Sequence, residues 1–279
     1  MAAFNGMMDR LGQTGFRIAS RSFNARHRSD RWVECKAGFR ALLLKQGLLD
    51  RVHKYTALAH PWQDTVARLL TSEPNDKELA VHVAMEIVRS AGTEDFGFNA
   101  SHYVGPTLEL LLSGYFEVIW PIIGGALISG NWTTTVHLTH VLGDLTDKKV
   151  GASLITPLPV EFLRDWCDKN RPKAARILAR ITPVFATVDA SIGWHPVAKM
   201  LLDDFGSDED MLSEISANLS TFSSWGSLIS HFKNQLSLFQ SLTNHNIPAV
   251  RRWQAQGAKW AQRRIAEEEK REAEERVSS

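Results

Sequence analysis

Apolar residues along this chain recur at steps of three and four. Leu79, Ala80, Val83, Ala84, Ile87 and Val88 share one stripe, as do Val197, Ala198, Leu201, Leu202 and Phe205. Met211, Leu212, Ile215 and Leu219 form another, and Ile229, Phe232, Leu236 and Phe239 the next. Val250, Trp253, Gly257 and Trp260 carry the same spacing to the last apolar segment. That period is the signature of amphipathic helices, and strand alternation does not take hold over the C-terminal third. The stripes there are separated by Pro172, His195-Pro196, Ser207-Asp208-Glu209-Asp210 and Ile247-Pro248. Pro196 suits a first helical position, where the missing N–H costs nothing. Gly206 offers a left-handed stop, and Ser207 with Asp210 reads as a capping-box-like start whose acids complement the helix N-terminus.

The same reading predicts helices over 37–45, 61–70, 76–90 and 132–142, two more over 160–166 and 174–181, and one from about Trp225 to Thr243. Residues 91–105 read as a long loop and 143–158 as a turn-rich connector. Between Leu110 and Ser129 the only charge is Glu117, over a length near the ~20 residues of a membrane span. Pro121, Gly124 and Gly125 interrupt the run and no Lys/Arg cluster orients it, so it reads as a buried central helix, or helix pair, broken near Pro121, with no membrane involved. Helix pairs spaced by roughly 35–45 residues fall in the range of HEAT and armadillo repeats. The expected fold is therefore all-α: a right-handed α-solenoid of antiparallel helix pairs over residues 32–275, with halves at 32–145 and 150–275. A flexible basic arm over 1–31 precedes it, carrying Arg10, Arg17, Arg21, Arg26, Arg28 and Arg31, and a disordered end over 276–279 follows. After Ile265 the apolar stripe gives way to Glu, Lys and Arg at three- and four-residue spacing, a polar cap of the kind a solenoid end needs.

Composition narrows the function classes. A chain of 279 residues with 44% hydrophobic and 23% charged residues can bury a large core. A formal net charge of +1 argues against a whole-protein nucleic-acid footprint. Cys35 and Cys167 lie far apart with no C-x-x-C, which argues against a disulfide scaffold or a thiolate zinc site and for a reducing cytoplasm. Nine tryptophans against three tyrosines read as large rings filling gaps in the core.

P-loop, zinc-protease, nucleophile-elbow and dinucleotide motifs do not occur, which lowers the expectation of catalysis. The best metal candidates are His137 and His140, three apart on a helix, with Asp144 following; surface or junction histidines are the plainer reading. The acids Asp203, Asp204, Asp208, Glu209 and Asp210 could hold a hard cation but are already explained by capping and exposure. Arg251, Arg252, Arg263 and Arg264 with Trp253 and Trp260 combine cations and rings as single-strand binders do, although Glu267, Glu268 and Glu269 would repel phosphate. Asp95, His102 and Tyr103 in the 91–105 loop, with Arg251 and Arg252, are the candidate partner-binding residues.

The stretch WHPVAKMLLDDFGSDEDMLSEISANLSTFSSWGSLISHFKNQLSLFQSLTNHNIPAVRRWQAQ, from Trp194 on, resembles the C-terminal helical-repeat region of large bacterial multidomain proteins, among them signal-transduction (STAND) NTPases implicated in anti-phage defence. VIWPIIGGALISGNW and LPVEFLRDWCDKNRPKAARILARITPVF resemble earlier parts of that region, so the likeness covers residues 100–275. It implies a sensing or scaffolding α-solenoid without cofactor or catalytic residue, partnered by another protein such as an NTPase or effector encoded nearby. The chain departs from those proteins in having no nucleotide-binding or effector domain in front of the repeats. The expected function is a non-catalytic, cytoplasmic protein-interaction module of bacterial defence or signalling. The alternatives are a metal-dependent hydrolase using His137, His140 and Asp144, and a nucleic-acid-binding module using the basic start and the Arg/Trp helix.

Overall fold

A computed structural model describes residues 29–97, 100–143, 153–188, 191–220 and 228–278. The expectations placed on the basic arm before Ser29, on Asp144 and on a helix start at Trp225 lie outside those residues. Helices dominate, and the chain divides into two compact units, Met1–Leu142 and Gly143–Ser279.

In the first unit the helices are α1 (Ser29–Leu43), α2 (Leu48–Lys54), α3 (Ala59–Ser72), α4 (Lys77–Ala91), α5 (Ser101–Ser129) and most of α6 (Trp132–Gly143). The 76–90 stripe forms α4, started by Asp76, whose carboxylate accepts the Leu79 N–H at 3.0 Å. Arg40 of α1 donates to both oxygens of that carboxylate, at 2.7 and 3.1 Å, so one residue caps α4 and ties α1 to it. Periodicity does not predict α2, because long-range contacts fix its start. Gly47 adopts φ 80°, a left-handed turn suited to glycine, and its N–H donates to Glu86 of α4 at 2.8 Å.

The apolar run is a single element, α5, starting earlier than expected at Ser101, and only nine residues separate it from α4. It is long and apolar enough to cross a membrane by length and composition, and it packs on α3 and α4. Its break lies at Tyr115 (φ −141°), not at Pro121, which stands inside the helix. Pro121 cannot donate to the carbonyl four residues back, and Gly114 has the weakest helix preference just upstream, so the bend gathers there. The Tyr115 hydroxyl, donating to the Glu73 carbonyl at 3.4 Å, holds it.

The second unit contains α7 (Val160–Lys169), α8 (Lys173–Ile181), α9 (Pro196–Phe205), α10 (Glu209–Ser220), α11 (Ile229–Ser241) and α12 (Pro248–Ser278). The last helix continues to Ser278, past the expected end of order at 275. Between α8 and α9 stands a hairpin that helical spacing hides: β1 (Phe185–Val188) pairs antiparallel with β2 (Ser191–Trp194), Phe185 opposite Trp194. Its two segments, FATV and SIGW, supply the aromatic and β-branched residues that fit a pleated surface.

The pair α9–α10 begins about 36 residues after α7–α8 (Val160 to Pro196, Lys173 to Glu209), and like packs on like, α7 against α9 and α8 against α10. Arg164 donates to Asp204 at 2.7 Å, Arg176 to Asp208 at 2.8 Å and Arg180 to Glu214 at 3.0 Å. Asn218 donates to the carbonyls of Ala179, Arg180 and Thr182, closing the C-terminus of α8.

Two local expectations are corrected. Asp208, not Ser207, caps α10, accepting the N–H groups of Asp210 and Met211 at 3.0 and 3.3 Å. Burial pushes its carboxyl up, but the Arg176 bond and these two N–H groups outweigh that and hold it below the ordinary aspartate range. Gly206 is right-handed (φ −63°); it is required because a Cβ there would collide with the Leu202 carbonyl and with Val250 of α12.

Candidate functional site

Hydrogen bonding sets the rings of the second unit at its surface. Trp253 of α12 donates its indole N–H to Ser216 Oγ of α10 at 2.7 Å, and Trp194 of β2 donates to Ser241 Oγ of α11 at 3.1 Å. Trp253 lies 6.1 Å from Trp194 and meets Phe239 edge-on at 5.2 Å; Trp260 meets Phe232 edge-on at 5.5 Å. Phe232 and Phe239 are buried, whereas Trp194, Trp253 and Trp260 are half-buried. Tryptophan was expected mainly in the core. Of the seven whose side chains are described, only Trp62 and Trp120 are buried, and Trp132 is 79% exposed.

Phe239, Trp253 and Trp260 line a groove between α10 and α12. One cavity of about 250 Å³ is bounded by Ser216, Leu219, Phe239, Trp253, Gly257 and Trp260. A second, of about 300 Å³, shares Ser216, Trp253 and Gln256 and continues to Ser213, Glu209 and Arg252. The groove is therefore apolar at one end and polar at the other, where Arg252 meets Glu209 at 3.3 Å. Gly257 admits the close approach of α11 to α12, since a Cβ there would strike the Phe239 ring. Its place within the Val250–Trp260 stripe was the one signal in the sequence that two elements come close here. Ser216 and Gln256 carried no such signal.

The first unit turns its chemistry inward. His53 of α2 is buried, with Nδ1 hydrogen-bonded to the Tyr103 hydroxyl and Nε2 without a partner among the described residues. Burial pushes its pKa down to about 4, against the pull of Asp50 and Asp95, and pushes the Tyr103 phenol up to about 12. Phe96 sits edge-on to His53 at 5.1 Å and stacks on His137 at 5.3 Å. Beside them Arg89 binds both oxygens of buried Glu86, at 3.1 and 3.0 Å, and Asp50 at 2.7 Å. Burial raises the Asp50 carboxyl, but the guanidinium of Arg89 bonded to it brings it below its usual value.

The sequence candidates divide accordingly. Tyr103 and His137 reach one cluster, Tyr103 through His53 and His137 through Phe96. Asp95 pairs at 3.6 Å with Lys54, and His102 is exposed on the first turn of α5, so neither joins the buried cluster. His137 Nδ1 is bonded to the Ala91 carbonyl at 2.8 Å, and no group of three or more His, Cys, Asp or Glu among the described residues is arranged to hold a metal ion. Arg251 donates to the carbonyls of His245 and Asn246, at 2.6 and 3.1 Å, and so secures the turn into its own helix; Arg252 alone of the two reaches the groove. Asp203 is held by Lys199 at 2.9 Å and His245 at 3.0 Å. Cys167 is buried, its thiol pushed up to about 12, which removes it as a nucleophile. Set against protein-family models, curated proteins and solved structures, the chain finds no match, so a reading of the groove rests on its own geometry.

Proposed function

We propose that this chain is a non-catalytic helical-repeat module that binds another protein, and that the α10–α12 groove receives an apolar segment of that partner. The observation that carries the reading is the groove itself: half-buried Trp253 and Trp260 over buried Phe239, with the Trp253 N–H already bonded to Ser216. Such a surface gains by covering rings, the usual role of tryptophan at binding hot spots. The 36-residue offset of the α7–α8 and α9–α10 pairs supports a HEAT-like arrangement for this unit. The likeness to repeat regions of defence-type NTPases makes an NTPase or effector encoded nearby the first partner to test, in a bacterial cytoplasm.

A photo-crosslinking residue placed at exposed Gln256, which lines both cavities, tests it in the native host. A defined protein adduct from position 256, and none from exposed Met85 in the first unit, is the expected result. Equal adducts from both positions, or none from either, overturn the reading.

A further inference from the structure

The edge of α12 that borders the groove is basic. Arg252, Gln256, Lys259 and Arg263 follow one another at steps of four, three and four, which on a helix is a single line, and all four are exposed. Gln256 and Arg252 line the cavities, so the line runs along the rim. Arg252 is balanced by Glu209, and the next acid on this side, Glu267, by Arg264 at 2.8 Å. Lys259 and Arg263 have no ion-pair partner among the described residues. Across the groove the exposed rim of α10 beyond Glu209 is uncharged, with Ser213 and Ala217. The groove thus offers an apolar floor, a neutral rim and a rim with two uncompensated cations.

Resting on the protein-binding reading above, we infer that the occupant is an acidic amphipathic helix of the partner. Its apolar residues lie on Leu219, Phe239, Trp253 and Trp260, and its Asp or Glu residues lie along Lys259 and Arg263. Helix-in-groove recognition places apolar anchors at three- and four-residue steps, and flanking carboxylates then match cations at the same pitch. Such charges act mainly on association rate and specificity. Single-stranded nucleic acid fits less well. It would present an unbroken row of phosphates to two free cations, with the Glu209 and Glu267 carboxylates at the ends of the rim.

The test uses the full chain and fluorescence anisotropy with three probes: a synthetic helix-forming peptide bearing Leu and Phe at helical steps flanked by Glu, the same peptide with every Glu replaced by Lys, and oligo-dT. The acidic peptide is expected to bind at least about tenfold more tightly than its Lys counterpart, and less tightly as salt rises. K259E with R263E is expected to remove about tenfold or more of that affinity while leaving the melting temperature unchanged, since both side chains are exposed. Equal affinity for the two peptides, tighter binding of oligo-dT, or indifference to K259E/R263E overturns the inference. The two readings separate in the cross-link: an adduct at position 256 whose formation the acidic peptide does not block leaves protein binding standing and removes the acidic helix. Absence of any adduct removes both.

Discussion

The two units handle large polar and aromatic side chains in opposite ways. In the first, Trp62, Trp120, Tyr103, His53 and Glu86 are all buried, and bonds between distant segments hold several of their polar atoms: Tyr103 with His53, and the Gly47 N–H with Glu86. In the second, Trp166, Trp194, Trp253 and Trp260 are all half-buried, and the indole bonds of Trp194 and Trp253 go to single serines at the unit's own edge. Rings and ion pairs enclosed in a core specify packing, whereas rings held with one side open remain free to contact something else. The charged and titratable side chains buried on α2, α4 and α5 therefore hold the first unit together, and the open groove in the second unit is the surface proposed to meet a partner.

The sharpest break of that contrast is a matched pair of truncations. Phe96→Ala removes a ring packed between His53 and His137, 1% exposed, and is expected to cost about 3–5 kcal/mol in urea melts. Trp253→Ala removes a half-buried ring and is expected to cost less, about 2 kcal/mol, while abolishing capture of the partner. Equal costs for the two would mean that Trp253 is core and that the groove is closed in solution.

Acid sharpens the contrast next. Folded, His53 stays neutral down to about pH 4, whereas an unfolded chain takes up that proton near 6.5. Between those values the unfolded state binds more protons, so stability falls as pH drops from about 6.5 to about 4, by up to roughly 3 kcal/mol in all. Burial lowers His195 and His231 in the second unit as well, but without a shift as large. Hydrogen exchange at pH 5 is therefore expected to show the first unit opening before the second. His53→Gln, which keeps an acceptor for Tyr103, should flatten the acid limb. An unchanged acid limb in that variant would show that the loss arises elsewhere.

Most helices were legible because each stripe depends only on its own residues: α4, α9, α10 and the apolar part of α12 fall where the three- and four-residue spacing predicts. What escaped depends on residues far apart in the chain. Helix α2 is fixed by Glu86 reaching Gly47, and the hairpin is too short for alternation to register. The buried imidazole cluster joins residues 53, 96, 103 and 137, which no local motif connects. Arg252, Trp253 and Trp260 were noticed as a mixed cation–ring helix, but their meaning changed once α10 and α11 supplied Ser216 and Phe239 as the other walls. Sequence placed the rings on one helix; only the fold shows that they line an open groove.

Two glycines give a smaller, opposite-signed comparison. Gly257→Ala forces a methyl group into the Phe239 ring and is expected to destabilise by about 1–3 kcal/mol. Gly125→Ala, at a helical position of α5 with open space where the Cβ would go, is expected to stabilise by about 0.5–1 kcal/mol. A neutral Gly257→Ala would mean that α11 and α12 lie farther apart than in this structure, and the groove floor would lose its shape with them.

The smallest effects separate two neighbours in the charged tail of α12. Arg271 pairs at 2.6 Å with Glu268, whose side chain is only 8% exposed, so Arg271→Ala leaves a buried carboxylate without its cation and is expected to cost about 1 kcal/mol. Lys270 is 79% exposed and stands 3.7 Å from an exposed Glu274, so Lys270→Ala is expected to stay within about 0.5 kcal/mol. Urea melts of the two variants in low and high salt distinguish them, since salt screens the Lys270 pair far more than the one at Glu268. If both variants melt with the parent, the tail beyond Ile265 contributes nothing to the second unit, and the docked part of α12 ends with the groove.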